Sequence, residues 1–131
     1  MENKEKAITN VKLAIEGLIK AGTTYDIEAL DAVYHNNLEV SFMDSSGNVS
    51  ISNKKDFKKL FEVKRANNEE YLNSWAHFNH INVHKNKAHV LITRKVNLTG
   101  KEDTLTLSID LVLEEEKWQV IREVIFTHPV L

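Results

Sequence analysis

The sequence contains no cysteine, which removes disulfide frameworks, thiolate zinc sites and cysteine nucleophiles together. It also lacks a long apolar run: no stretch approaches the roughly 20 residues of a membrane span. The start, Met1 to Lys6, is charged and polar, and an amphipathic pattern follows it rather than the unbroken apolar core of a secretory signal. A cytoplasmic protein without a membrane partner is expected. No sign of charge dominates either. Seventeen Lys and Arg face nineteen Asp and Glu, a formal charge of -2, and the basic residues are scattered, so nucleic acid is not an expected partner. No glycine-rich phosphate loop, nucleophile elbow or paired-carboxylate motif occurs, and no motif implies a cofactor. Linkers, repeats and low-complexity stretches are missing too.

What remains is the composition of a folded protein. The chain has 131 residues, 42% hydrophobic and 27% charged, which suits one domain over 1–131 with a packed core. Ile8, Val11, Ile15, Leu18 and Gly22 recur at spacings of three and four, predicting a first helix that Gly22 ends. Asp26 is placed to cap a second, on which Ile27, Leu30, Val33 and Tyr34 share a face until Asn36-Asn37 breaks the pattern. Leu38, Val40 and Phe42 then alternate with polar residues as a first strand, and the turn Ser45-Ser46-Gly47-Asn48 leads to a short second one. Asn53 reads as the cap of a third helix with Phe57, Leu60, Phe61 and Lys64 on one face. Beyond Tyr71, strands are expected at about 72 to 84, 87 to 98, 104 to 115 and 117 to 128, joined by turns short enough for an antiparallel meander. The fold class is α+β, with three N-terminal helices packed on one face of the sheet.

This order of elements resembles the nuclear transport factor 2-like superfamily, which includes ketosteroid isomerases, scytalone dehydratase and SnoaL-type cyclases. Ala29 through Val40 and the Lys117-Trp118-Gln119-Val120-Ile121 opening of the last strand carry the likeness. The resemblance implies a cone-shaped α+β barrel: the helices lie in the hollow of a strongly curved antiparallel sheet. It implies a mostly apolar cavity inside, and often a homodimer through the outer sheet face. In the isomerases a catalytic aspartate, a tyrosine and a protonated aspartate line that cavity. Here Phe42 stands near the first and Ile15 near the second, so neither carries over. Asp110 alone falls where the third would lie, and a donor without a base cannot move the proton that reaction requires.

The chain's own alternation disagrees with that placement of Asp110. Leu105, Leu107, Ile109, Leu111 and Leu113 alternate with Thr104, Thr106, Ser108 and Asp110, so burying the leucines turns Asp110 outward. Both orientations stand at this stage. Arg94 shares the apolar side of its strand with Val90, Ile92, Val96 and Leu98. A buried Arg needs an anion or several acceptors, so it either pairs with Glu123 or Asp110 or anchors an anionic group of a ligand. Tyr34 lies on an apolar stripe, where it either offers its hydroxyl to a pocket or packs in the core with the hydroxyl satisfied; Phe42 and Trp75 are candidates to line a ligand site, with core packing as the alternative for Trp75.

His77, His80 and His84 cluster, but alternation separates His77 from the other two, so no metal site is expected. His80 and Asp110 are the candidate acid-base residues. Two functions follow. One is a protein binding a small hydrophobic or aromatic molecule in its cavity, with catalysis if an acid or base is in reach. The other is a non-catalytic dimerisation module whose cone is filled by its own side chains, supported if the Leu105 to Leu113 row faces outward.

Overall fold

The computed structural model describes residues 3–96 and 102–128. Its first helix, α1, spans Lys4–Thr23 and is capped by Asn3, whose side chain accepts from the Lys6 amide at 2.8 Å. The spacing of three and four buries Val11, Ile15 and Leu18. The helix outlasts the expected stop at Gly22 by one residue, and the left-handed position falls on Tyr25 at φ 56°. A tyrosine there costs backbone strain. Its hydroxyl donates to Glu70 O at 2.6 Å, which helps hold the turn.

Asp26 caps α2, Ile27–Val33, by accepting from Ala29 N. Tyr34 is not on the last turn of that helix. It is extended, at φ -87° and ψ 127°, and begins β1, Tyr34–Met43, which runs through Asn36-Asn37 with an irregular register between Tyr34 and Glu39. Gly47, at φ 87°, makes the turn into β2, Val49–Asn53. Asn53 then caps α3, Lys54–Ala66. Phe61 is buried on α3 and Phe57 half-buried, whereas Leu60, expected on their face, is 41% exposed.

Four further strands follow: β3, Ala76–His84; β4, Lys87–Val96; β5, Asp103–Glu114; and β6, Lys117–Thr127. β3 starts later than the alternation predicts, because 69–75 has no regular structure. The last two residues of the strand expected over 87 to 98, Leu98 among them, and the turn residues Thr99 to Lys101 lie outside the described residues. The sheet order is β2-β1-β6-β5-β4-β3. β3 to β6 form the expected antiparallel meander, but β1 pairs with β6 in parallel, so the sheet is mixed. It stays open, with β2 and β3 as edges, rather than closing into a barrel.

Two bulges decide which side chains face the helices. In β6 the partner of Asp110 is Arg122 and that of Leu111 is Val120, which leaves Ile121 as an extra residue. Trp118 and Val120 are buried before it, and Glu123 and Ile125 after it. In β3 the register shifts between Phe78 and His80, so Ile81 and Val83 pair with buried Val90 and Ala88. Opposite them, Leu105, Leu107, Ile109 and Leu111 are all buried. The leucine row therefore belongs to the core and is not an outer dimerisation surface.

Candidate functional site

Among the described residues, the buried face of the sheet carries two charged side chains. Arg94 on β4 is 8% exposed and Glu123 on β6 is 2% exposed. Tyr34, 2% exposed at the start of β1, donates its hydroxyl to Glu123 Oε1 at 3.3 Å. Its ring lies edge-on to Phe57 of α3, with centroids 5.8 Å apart, and Phe57 packs in the same way on Phe61 at 5.4 Å. These groups border a cavity of about 60 Å³. Leu18 and Ile19 of α1, Phe57 and Phe61 of α3, and Ile92, Leu107, Ile109 and Ile125 of the sheet supply most of its apolar wall.

Burial sets the electrostatics. Taking the Glu123 carboxyl out of water pushes it from its ordinary 4.5 up to about 7, although the Tyr34 hydrogen bond and the Arg94 charge both pull it down. Burial also raises the Tyr34 phenol well above its usual value, and the nearby Glu123 charge adds to that, so Tyr34 is a proton donor in the hydrogen bond. Desolvation lowers Arg94, while Glu123 and Tyr34 work against it. A carboxyl that titrates near neutrality inside apolar walls can both give and take a proton there.

Arg94 is held by backbone rather than by a carboxylate. Its Nε donates to Trp75 O at 3.0 Å and its Nη2 to Asn73 O at 2.8 Å. Asp110, one of its two expected partners, lies on the opposite face. There Asp110 Oδ1 meets His89 Nδ1 at 2.7 Å, with both side chains about 40% exposed (39% for His89 and 43% for Asp110). The placement of Asp110 inside the cavity, implied by the resemblance, is thus corrected in favour of the chain's own alternation. His80 is exposed and pairs with Leu91, outside the cavity. The β3 bulge also puts His77 and His84 on that outer side, paired with Thr93 and Lys87, so strict alternation does not separate the three histidines. Among the described residues no group of three or more His, Asp or Glu is placed to hold a metal.

Phe42 pairs with Ile125 and packs on the core without bordering the cavity. Trp75 is 45% exposed on the irregular segment, with Lys95 Nζ 4.9 Å from its ring centre. Of the six candidates, Tyr34 and Arg94 come together at the cavity; His80, Asp110, Phe42 and Trp75 do not. Glu123 was visible in the sequence only as a partner for Arg94. Counting by twos from Trp118 and Val120 turns it outward, and nothing local announces the bulge that turns it in.

No family model matches the sequence, and no curated protein matches it. Solved structures do match, over nearly the whole chain. A nuclear transport factor 2-like (NTF2-like) protein of unknown function from Silicibacter pomeroyi shares 15% identity over 97% of this chain and 100% of its own, with a TM-score of 0.80. Another from Shewanella baltica shares 12% over 99% and 100%, at 0.79. A protein from Streptomyces avermitilis, proposed to be a dehydratase of the NTF2-like family, shares 14% over 98% and 100%, at 0.74. Identities this low show that the fold is NTF2-like; they assign no activity.

Proposed function

We propose that this protein binds a small, largely apolar molecule in the cavity headed by Tyr34, Arg94 and Glu123, and that Glu123 exchanges a proton with it. The Glu123 carboxyl carries this reading. A protein that needed only to fill its interior gains nothing from a buried carboxyl, whose desolvation lowers stability unless ion pairing or hydrogen bonding offsets it. Such groups are concentrated where proton transfer is needed. Arg94 already has two carbonyl partners, and Glu123 is about half protonated near neutral pH. The ligand class that fits is therefore neutral, with one hydroxyl or carbonyl for Glu123 and a hydrophobic or aromatic body for Phe57, Phe61 and the aliphatic wall. The fold-level likeness to a protein proposed to be a dehydratase supports acid-base chemistry by analogy only.

Titration with 1-naphthol, followed by its fluorescence at several pH values, tests this. Binding should change through about pH 7, following the Glu123 proton, and the change should vanish in Glu123→Gln. Equal pH dependence in both proteins would overturn it.

A filled, non-catalytic interior is the second reading. The cavity's 60 Å³ favours it, being well below the ~300 Å³ at which ordinary ligand pockets begin. In either case a homodimer through the outer sheet face is proposed. Ile51 and Val49 pair with Ser41 and Met43 at that end of the sheet and are 68% and 57% exposed. Sedimentation at roughly tens of micromolar, where interfaces of ordinary size associate, should give a dimer; a monomer would remove this partner.

A further inference from the structure

The cavity as it stands is too small for the ligand class proposed above, so volume and access must come from a wall that moves. α1, α3 and the strands are regular elements tied by their own hydrogen bonds. Among the described residues the remaining wall is Leu72, on the irregular stretch between α3 and β3. That stretch lies over the cavity with little buried of its own: Leu72 is half-buried, while Tyr71 and Trp75 are 71% and 45% exposed.

Its first residues are tied to the end of α3: the amides of Asn67, Asn68 and Glu69 donate to Val63 O, Arg65 O and Lys64 O, and Lys64 Nζ donates to Glu69 Oε1 at 3.1 Å. Beyond Glu69 the ties are fewer, and Lys95 Nζ over the Trp75 ring is one of them. Leu72 N donates to Thr23 O at 3.0 Å, the Tyr25 hydroxyl donates to Glu70 O, and Arg94 donates to the carbonyls of Asn73 and Trp75. Tyr71 sits edge-on to Tyr25 with centroids 6.0 Å apart. Arg94 belongs to the cavity wall and to this strap together. Swinging the strap out withdraws Leu72 from the cavity and frees a guanidinium at its mouth.

We infer that 70–75 is a lid, latched by Arg94, and that a neutral apolar ligand enters by displacing Leu72. The ligand's entry rests on the cavity reading above; the opening of the lid does not. Amide hydrogen exchange on the full chain, without ligand, tests the opening. The Leu72 amide should exchange by local opening, well ahead of the β5 amides, and with little dependence on denaturant. Tyr25→Phe, which removes one tie outside the cavity, should speed it by roughly 5-fold, the worth of one net hydrogen bond, while β5 stays unchanged. Lys95→Gln, which takes the cation from the Trp75 ring, should give a smaller effect in the same direction.

Association of 1-naphthol should level off with concentration at the opening rate, and Tyr25→Phe should raise that plateau in proportion to the exchange. If Leu72 exchanges only as fast as β5, the lid is overturned. If Tyr25→Phe speeds exchange but not association, the entry route is overturned. If the lid opens and 1-naphthol binds nowhere, the cavity reading falls and the entry route with it; the exchange data tell this case from the first.

Discussion

The Tyr34 hydroxyl and the Glu123 carboxyl, 89 residues apart in the chain, meet at 3.3 Å inside the protein. Tyr34 comes from the first residue of β1 and Glu123 from the middle of β6, which pair in parallel. The contact therefore depends on two features that form only with the complete sheet: the β1–β6 pairing and the bulge at Ile121.

Stability should fall as pH rises through neutrality because of Glu123. Its folded value, about 7, lies above its ordinary 4.5, so the folded state holds the proton more tightly. That stabilisation is fully present below about 4.5 and is lost as pH rises through about 7. Glu123→Gln keeps an acceptor for Tyr34 and removes the titration. Urea unfolding should show the variant gaining on the natural protein between pH 5 and pH 9, by up to about 3 kcal/mol for a shift of this size. Parallel stability profiles would mean that Glu123 does not titrate as described.

Tyr34→Phe should move that pH dependence upward. The hydroxyl lowers the Glu123 value by donating to it, and Phe retains the edge-on packing on Phe57. The carboxyl then titrates above about 7, which carboxyl carbon NMR reads directly. A value that stays put, or falls, would show that the hydrogen bond does not act on Glu123.

Arg94→Met should lower the melting temperature, and adding Glu123→Gln should restore only part of the loss. The Met side chain keeps the apolar stem, but the carbonyls of Asn73 and Trp75 lose their donor whatever the charge on Glu123. Losing these bonds costs on the order of 1–3 kcal/mol. Full recovery in the double variant would instead assign Arg94 to Glu123 alone.

Deleting Ile121 should leave the protein folded, because it removes the bulge and nothing else. Without the extra residue Val120 is followed directly by Arg122, so Trp118, Val120, Glu123 and Ile125 still face inward and Arg122, Val124 and Phe126 outward, in regular alternation. The expected cost is that of an ordinary single change, roughly 0.5–3 kcal/mol. A cooperative melt with the circular dichroism spectrum of the natural protein is the expected result; loss of that spectrum would show that the bulge itself is required.

Local chemistry determined much of this protein. Spacing of three and four placed α1, Asp26 and Asn53 started α2 and α3, and strict alternation in β5 turned its leucines inward and Asp110 outward, because each depends on neighbours a few residues away. The likeness of the whole order of elements also led to the right fold. Tertiary structure decided what stands at the cavity. Tyr34 left the helix for a strand once β1 found β6, and the strand that alternation would begin near 72 gave way to a segment tied to Arg94. The bulges at Ile121 and between Phe78 and His80 reversed the facing of everything after them. A period of two carries no mark of where it skips, since a bulge is fixed by the register of a partner strand distant in sequence. Glu123, the residue with the most perturbed carboxyl, became legible only when β5 lay beside it.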